Sequence, residues 1–155
     1  MKNLDTINAY FARFLEKEKL DPSTTYLEAF HFELNEKLAN ELLDLVLQGK
    51  KRATASSAKA YQNTNESMPA IGDYTIVLDW DNNPRCIIQT TNVQLIPFKD
   101  ITYEICKREG ENDTLKSWQD GHRRFYIEEG KQIGYEFSEE MLVVFEDFEV
   151  VFLEE

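Results

Sequence analysis

Hydrophobic residues at helical spacing open the chain. Leu4, Ile7 and Phe11 recur at intervals of three and four residues, a pattern typical of an amphipathic helix. The polar stretch 21–23 carries a proline, so the helix is predicted to end before it. The segment that follows, 26–32, fits neither a helix nor a strand clearly.

A second helix is marked at both ends. Asn35 is a typical N-cap, and Gly49 is a typical stop after the last hydrophobic turn. The residues between them place leucines on one face: Leu38, Leu42 and Leu45. Residues 50–57 begin where this helix ends, so their side chains are expected to project from an exposed turn or a short strand.

The middle and the end of the chain have the pattern of strands. Residues 74–80 alternate, 81–84 form a turn, and 85–96 continue as a long strand, which predicts a β-hairpin. Residues 141–153 are rich in Val and Phe but are interrupted by Glu146-Asp147, which fits two short strands or one bulged strand.

Two further helices are predicted between these strands. One covers 100–108 with Gly110 as its stop, and the other covers 114–128 with a cap near Asp113. Strands dispersed among short helices, with few β-α-β spacings, indicate an α+β fold in which a mainly antiparallel sheet curls into a barrel.

Length and composition narrow the class of protein. The chain has 155 residues, which fits one domain, and its apolar runs are far shorter than a membrane helix needs. The N-terminus lacks the pattern of a signal peptide, so we expect a cytoplasmic protein. The net charge of −12 argues against binding of duplex DNA, and the isolated cysteines and histidines form a poor metal set. We therefore expect neither a metal nor another cofactor.

A short motif follows the second helix: Gly49-Lys50-Lys51-Arg52-Ala53-Thr54. It resembles the G-x-K-x-x-T motif of the ASCH superfamily. Other matching segments occur in the order seen in larger bacterial ASCH proteins, among them 69–73, 97–101 and 109–118. The resemblance runs from about residue 30 to residue 152.

The resemblance implies a PUA-like β-barrel with flanking helices and a cleft beside the helix that precedes the motif. It divides the chain into an N-terminal helical extension, 1–25, and an ASCH domain, 26–155. Members of the family are thought to bind RNA or nucleosides. Some are amidohydrolases that deacetylate N4-acetylcytidine, and others have been linked to ribonuclease activity.

Carried over residue by residue, the resemblance implies a catalytic group of Lys51, Thr54 and Glu109. Thr54 would be the nucleophile and Lys51 its base, which requires that burial or the neighbouring cations lower the pKa of Lys51. Glu109 would then pass protons to a leaving amine or hold the Lys51 ammonium. Position 52 is Arg where the family motif often has Thr, which changes the charge beside the base.

The same region also supports simple binding. Cations would pair with phosphate while an aromatic ring stacks on a base. The candidate substrate-binding residues are Lys50, Arg52, Tyr61, Trp118, His122 and Arg123. Structural roles stay open for several of these residues: Thr54 as a strand residue, Glu109 in a surface ion pair, Trp118 in the core and His122 as a buried structural histidine.

Three functions follow from these features. The first is a pocket for a nucleoside or RNA with metal-independent hydrolysis at Lys51, Thr54 and Glu109. The second is a non-catalytic RNA-binding module in translation or its regulation. The third is an interaction domain whose acidic surface meets a basic protein partner. The sequence does not give the oligomeric state.

Overall fold

The computed structural model describes residues 2–154. Its helices and strands alternate in short stretches, in this order: α1 (Leu4–Lys17), β1 (Glu28–Phe30), α2 (Glu36–Leu47), β2 (Ala53–Ser57), α3 (Ala58–Thr64), β3 (Tyr74–Leu78), β4 (Pro84–Pro97), α4 (Tyr103–Cys106), α5 (Leu115–Ile133) and β5 (Leu142–Phe152). Single 3-10 turns at 98–100 and 107–109 flank α4. No helix in this part of the chain is long and apolar enough to cross a membrane.

The strands form one five-stranded sheet in the order β1-β3-β4-β5-β2. Within residues 2–154 only the β1–β3 pair is parallel, and the sheet curls into a half-barrel with β1 and β2 at its edges. The predicted α+β class with a mainly antiparallel sheet is therefore confirmed. The last segment is one strand, β5, and its pairing with β4 shifts register between Thr90 and Asn92 and between Ile87 and Ile88, as bulges do.

Helices cover both faces of the sheet. On one face, α2 packs against Val77, Ile88 and Phe148, and we call this the α2 face. On the opposite face, α1 packs against Ile76 and Ile87. The alternation of side chains along each strand explains this division, because neighbouring residues point to opposite faces. The opposite face also carries α5, whose Trp118 and Tyr126 pack against Met141 and Val143 of the β5 region.

The structure adds two elements to the predicted set. Strand β1 falls in the ambiguous stretch 26–32, and α3 follows β2 without a break. Ser57 is the last residue of β2 and also the N-cap of α3, since its side chain accepts a hydrogen bond from the amide of Lys59. The helix α5 also continues past the predicted end at residue 128 to Ile133.

Candidate functional site

The side chain of Lys51 is buried inside the protein. Its side chain is only 1% exposed, and its ammonium donates three hydrogen bonds. The acceptors are the carbonyl oxygen of Ala53 at 2.8 Å, Oε2 of Glu109 at 3.2 Å and Oε2 of Glu111 at 2.7 Å. The ring of Phe32 lies 5.4 Å from the same nitrogen. A charge so deeply buried is tolerated only because it is paired on several sides.

The backbone joins the two segments that form this cluster. The amides of Lys50 and Lys51 both donate to the carbonyl oxygen of Leu45, which ties the motif to the end of α2. The amide of Arg52 then donates to the carbonyl oxygen of Arg108 at 2.9 Å. Gly110 lets the second segment come this close, because a Cβ atom there would lie 2.3 Å from the carbonyl oxygen of Lys50.

Glu109 is held by donors on both of its oxygens. Oε2 accepts from Lys51, and Oε1 accepts from the indole nitrogen of Trp118 at 3.1 Å. Nε2 of His122 lies 3.4 Å from the same Oε1. The other ring nitrogen of His122 lies 2.9 Å from the carbonyl oxygen of Trp118, an acceptor, so this Nδ1 carries the proton. The Glu109 carboxylate is therefore fixed in place by its neighbours.

The charges in this cluster shift the pKa values of its members. Burial alone would lower the pKa of Lys51, but the charges of Glu109 and Glu111 outweigh it and raise that pKa above its ordinary value. Burial alone would likewise raise the pKa of Glu109, but the positive charges of Lys51 and His122 lower it. Lys51 is therefore an ammonium, and the lowered pKa that a base role requires is not found here.

Glu111 has the opposite electrostatic environment. Burial and the negative charge of Glu109 raise its pKa to about 8, although Lys51 partly opposes this. The pKa values of the two carboxyl groups are therefore shifted in opposite directions, that of Glu109 downwards and that of Glu111 upwards. The pKa of His122 is raised as well, because the charge of Glu109 outweighs the effect of burial.

Solvent reaches this cluster at Glu111 and His122. The side chains of Glu111 and His122 are 15% and 13% exposed, whereas those of Lys51 and Glu109 are nearly inaccessible. Burial raises the pKa of Glu33, and the charges of His122 and Lys51, which act on the same carboxyl group, partly lower it. Its backbone has a φ of +62°, a conformation that costs a residue with a Cβ some strain and is concentrated at functional sites.

Three of these groups have the chemistry of metal ligands. The ligand atoms of Glu109, Glu111 and His122 all lie within 4.8 Å of one another. The ammonium of Lys51, however, already bonds to both carboxylates. A metal ion would have to displace a buried cation, so the donor set fits the lysine better than it fits a metal.

The free edge of β2 is closed by side chains. Its backbone pairs with β5 on one side only. On the other side, the carbonyl oxygen of Ala53 accepts from Lys51, and that of Ala55 accepts from the hydroxyl of Tyr126 at 2.8 Å. Lys51 therefore serves both the carboxylates and the sheet edge.

The structure brings together only part of the predicted catalytic group. Lys51 and Glu109 are in contact, but within residues 2–154 neither forms a hydrogen bond with Thr54. Thr54 is half-buried and pairs in register with Glu146 of β5, so its side chain lies on the α2 face. The nucleophilic role of Thr54 stays a prediction.

The predicted binding residues are also dispersed. Lys50 and Arg52 are exposed beside the cluster, and His122 is part of it. Trp118 is fully buried, and the rings of Phe98 and His122 stack near it at 5.5 Å and 4.1 Å, which leaves no space for a base.

Two more of the predicted residues have protein partners elsewhere. Arg123 forms ion pairs with Asp120 and Glu139 on the surface of α5 and the segment after it. Tyr61 lies in α3, half-buried, with neighbours outside the Lys51 cluster.

Two residues of the cluster were not among the predicted site residues. Glu111 lies in the segment 109–113 that carries part of the family resemblance, so the signal was present in the sequence. Glu33 precedes α2 in a segment without a recognisable motif, and only the folded chain brings it near His122.

A family model described as the ASCH domain matches residues 28–152. The crystal structure of an ASCH domain from Lactobacillus crispatus JV V101 is 34% identical, with a TM-score of 0.86, and the match covers 95% of this chain and 94% of that one. A crystal structure of a protein from Enterococcus faecalis V583 is 34% identical, with a TM-score of 0.90, covering 97% of this chain and 91% of that one.

A third solved structure, of a hypothetical protein, shares the fold alone. It is 18% identical and has a TM-score of 0.51, with 81% of this chain and 99% of that chain covered. The comparison with curated proteins finds no match.

Proposed function

The chain belongs to the ASCH domain family, and from that premise we propose that it is a metal-independent hydrolase acting on a nucleoside or RNA. The observation that carries the proposal is the pair of carboxyl groups, Glu109 and Glu111, whose pKa values are shifted in opposite directions around one buried ammonium. Such a pair supplies a fixed anion and a proton donor within one site, which is the requirement of general acid–base catalysis.

The chemistry follows from which atoms are free. Both oxygens of Glu109 are occupied, so Glu111, at the solvent side, is the group that exchanges protons. For an acylated amine, water attacks the acyl carbon, the C–N bond breaks, and the amine leaves with the proton of Glu111. The attacking water then returns a proton to Glu111. The Lys51 ammonium, whose three N–H groups are used by Ala53, Glu109 and Glu111, holds the two carboxyl groups in position.

The test uses substrates of the two activities linked to the family, deacetylation of N4-acetylcytidine and cleavage of RNA. Pure protein is incubated with N4-acetylcytidine, with related acylated nucleosides and with short single-stranded RNA. We expect product from at least one of these and a loss of about 100-fold or more in rate for Glu111→Gln, the typical contribution of an acid–base group. Glu128→Gln is the matched control, since Glu128 is exposed on α5 and removal of its charge should leave the rate unchanged.

Two further variants complete the test. Lys51→Ala guards against a contaminating nuclease, because a contaminant is unaffected by the mutation. Thr54→Val tests the predicted nucleophile, since it keeps the shape of the side chain and removes its hydroxyl. Absence of product from the wild-type protein with every substrate would reject the hydrolase proposal.

A non-catalytic RNA-binding module is the second candidate, and one observation favours it. The backbone hydrogen bond from the amide of Arg52 to the carbonyl oxygen of Arg108 brings two basic stretches together. Lys50, Arg52 and Lys107 are therefore exposed near one another, on a chain whose net charge is −12. Phosphate contacts by such cations release counterions, and binding would weaken as salt rises. Salt-sensitive binding of single-stranded RNA without product would favour this candidate, whereas binding that is unchanged between low and moderate salt would exclude it.

A further inference from the structure

Strand β4 is longer than its neighbour β3, so part of one of its edges has no partner strand. On one side, β5 pairs with β4 as far as Pro97. On the other side, the pairing with β3 ends at Gln89, and the last backbone hydrogen bonds are those of Thr90. Within residues 2–154, no backbone hydrogen bond reaches residues 92–97 from that side. We call residues 92–97 the open edge.

The alternation of hydrogen bonds identifies the residues that face outward. In an antiparallel sheet, successive residues direct their N–H and C=O groups to opposite sides of the strand. The amide of Phe98 donates to the carbonyl oxygen of Met141, which lies on the β5 side. Counting back in steps of two, Gln94 also faces β5. Val93 and Leu95 therefore direct their backbone groups away from the sheet.

The far side of β5 gives the same assignment. The amide of Phe148 donates to the carbonyl oxygen of Arg52, on the β2 side. Phe145 lies three residues earlier, so it faces the other way, towards β4. Phe145 is the register partner of Gln94. Two independent hydrogen bonds thus agree that Gln94 bonds to β5 and that its two neighbours point outward.

The open edge carries no charge. Residues 86–98 contain no acidic or basic side chain, although the net charge of the chain is −12. Charged side chains are a common protection of a strand edge against pairing with another molecule. Apolar side chains lie here instead: Leu95 is 53% exposed and Leu142 is 43% exposed. The register of β4 and β5 places both on the same face as Val93.

We propose that the open edge pairs with the open edge of a second copy of this chain, antiparallel, about a two-fold axis at Gln94. Val93 of each copy then lies opposite Leu95 of the other. Because both residues face outward, each pair exchanges two N–H to C=O hydrogen bonds, which gives four bonds across the axis. The two sheets become one continuous sheet of ten strands.

The register about Gln94 is the one that satisfies the outward groups. An axis at Leu95 would place Val93 opposite Pro97, which has no N–H to donate. An axis at Val93 would place Leu95 opposite Thr91, the extra residue where the pairing of β4 with β5 shifts register. With the axis at Gln94, both complete positions of the edge find partners.

A second copy suits this edge for two reasons. Two molecules with the same net charge repel each other, and the repulsion is weakest where neither surface carries a charge. The apolar side chains also meet their own kind, because Val93 and Leu95 become cross-strand neighbours. An edge contact of this length is smaller than the standard interface of about 800 Å² per partner, so the dimer is expected to be weak.

A cysteine at the axis traps the proposed pair. In Gln94→Cys the two new thiols lie opposite each other, where the Cα atoms of a pair without hydrogen bonds are about 4.5 Å apart. This distance permits a disulfide. We expect a covalent dimer after oxidation with copper phenanthroline. The wild type should stay unlinked, because its cysteines, Cys86 and Cys106, are both buried.

Asn92→Cys is the matched control. Asn92 is exposed on the same strand and the same face as Gln94. In the proposed register, however, it lies opposite Ile96 of the second copy. The two Asn92 positions are then separated by four residues, about 14 Å along the strands, which is too far for a disulfide. We expect at least tenfold less covalent dimer than for Gln94→Cys.

Reversible association is measured without a crosslink by sedimentation equilibrium. Concentrations from about 10 µM to about 1 mM cover the Kd range of weak complexes. Leu95→Lys should raise the Kd about tenfold or more, since a lysine on a strand edge opposes pairing. Ile71→Lys adds the same charge at a side chain that is 69% exposed in the turn before β3, and it should leave the Kd unchanged.

Four results would overturn the proposal. A wild-type protein that stays monomeric at every concentration does not pair at this edge. Failure of Gln94→Cys to form a covalent dimer has the same meaning. Equal crosslinking of the two cysteine variants would show random collision or another register. A dimer that Leu95→Lys does not weaken would use another surface. None of these variants touches the Lys51 site, so the result is independent of the proposed hydrolase activity.

Discussion

Replacement of Gly110 by alanine tests how the Lys51 site is assembled. Gly110 has a φ of +70°, and its missing side chain would point at the backbone of Lys50 and Lys51. A Cβ atom there would lie 2.3 Å from the carbonyl oxygen of Lys50 and 3.1 Å from the amide nitrogen of Lys51. Because these neighbours are backbone atoms, they cannot rotate away as a flexible side chain would.

Two costs add up at this position. A left-handed conformation costs a residue with a Cβ about 1–2 kcal/mol. Forcing an extra methyl group into a packed contact costs about 1–3 kcal/mol more. The free energy of unfolding should therefore fall by roughly 2–5 kcal/mol, and the melting temperature by roughly 4–20 °C for a chain of this size.

Gly49→Ala is the matched control for this variant. Gly49 has a φ of +76°, but a Cβ atom there would meet nothing within 4 Å, so it incurs the conformational cost alone. The free energy of unfolding of both variants is measured in urea or by heat. The difference between them is the cost of the close contact, which we expect to be about 1–3 kcal/mol. The indole N–H resonance of Trp118 should also shift in Gly110→Ala, since Glu109 moves with the turn. Equal destabilisation by the two variants would refute this account.

Three further variants test the energetics of the cluster. Lys51→Met should cost about 3–5 kcal/mol of stability in urea unfolding, since it leaves Glu109 and Glu111 buried without their cation, and a smaller loss would contradict the pairing. Because the pKa of Glu111 is raised in the folded state, that state binds more protons than the unfolded chain between pH 4.5 and about 8, so stability should fall as pH rises through this window. Glu111→Gln should flatten that slope in unfolding measured across pH, and an unchanged slope would argue against the shift. Tyr126→Phe should cost about 1 kcal/mol, because the carbonyl oxygen of Ala55 loses its donor, and the variant would show this in a thermal melt.

The elements that sequence analysis predicted well are those with local signals. Asn35 caps α2 because its side-chain oxygen accepts a hydrogen bond from the amide of Leu38, and Gly49 follows the end of the helix, as the sequence indicates. Strand β1 has only three residues, and it exists because it pairs with β3, a contact between distant parts of the chain. The helix α5 is longer than the pattern predicts, because it continues through Gly130, where a Cβ atom would collide with the carbonyl oxygen of Tyr135.

In the site, too, the local motif was predictable from the sequence, whereas the contacts with distant parts of the chain were not. The motif located Lys51, but its surroundings depend on partners 58 and 60 residues further along the chain. The sequence pattern predicts an exposed turn or a short strand for the whole stretch 50–57. Lys50 and Arg52 are indeed exposed, whereas Lys51 is buried because Glu109 and Glu111 neutralise it. The direction of its pKa shift therefore could not be inferred from the neighbouring cations alone.

The covered edge of β2 has a consequence for how the molecules behave in concentrated solution. An open strand offers its carbonyl groups to a strand of another molecule, and such contacts start intermolecular aggregation. Here the ammonium of Lys51 and the hydroxyl of Tyr126 already occupy two of these carbonyl groups. The residue that organises the carboxyl pair therefore also blocks one route by which copies of this chain would stick together.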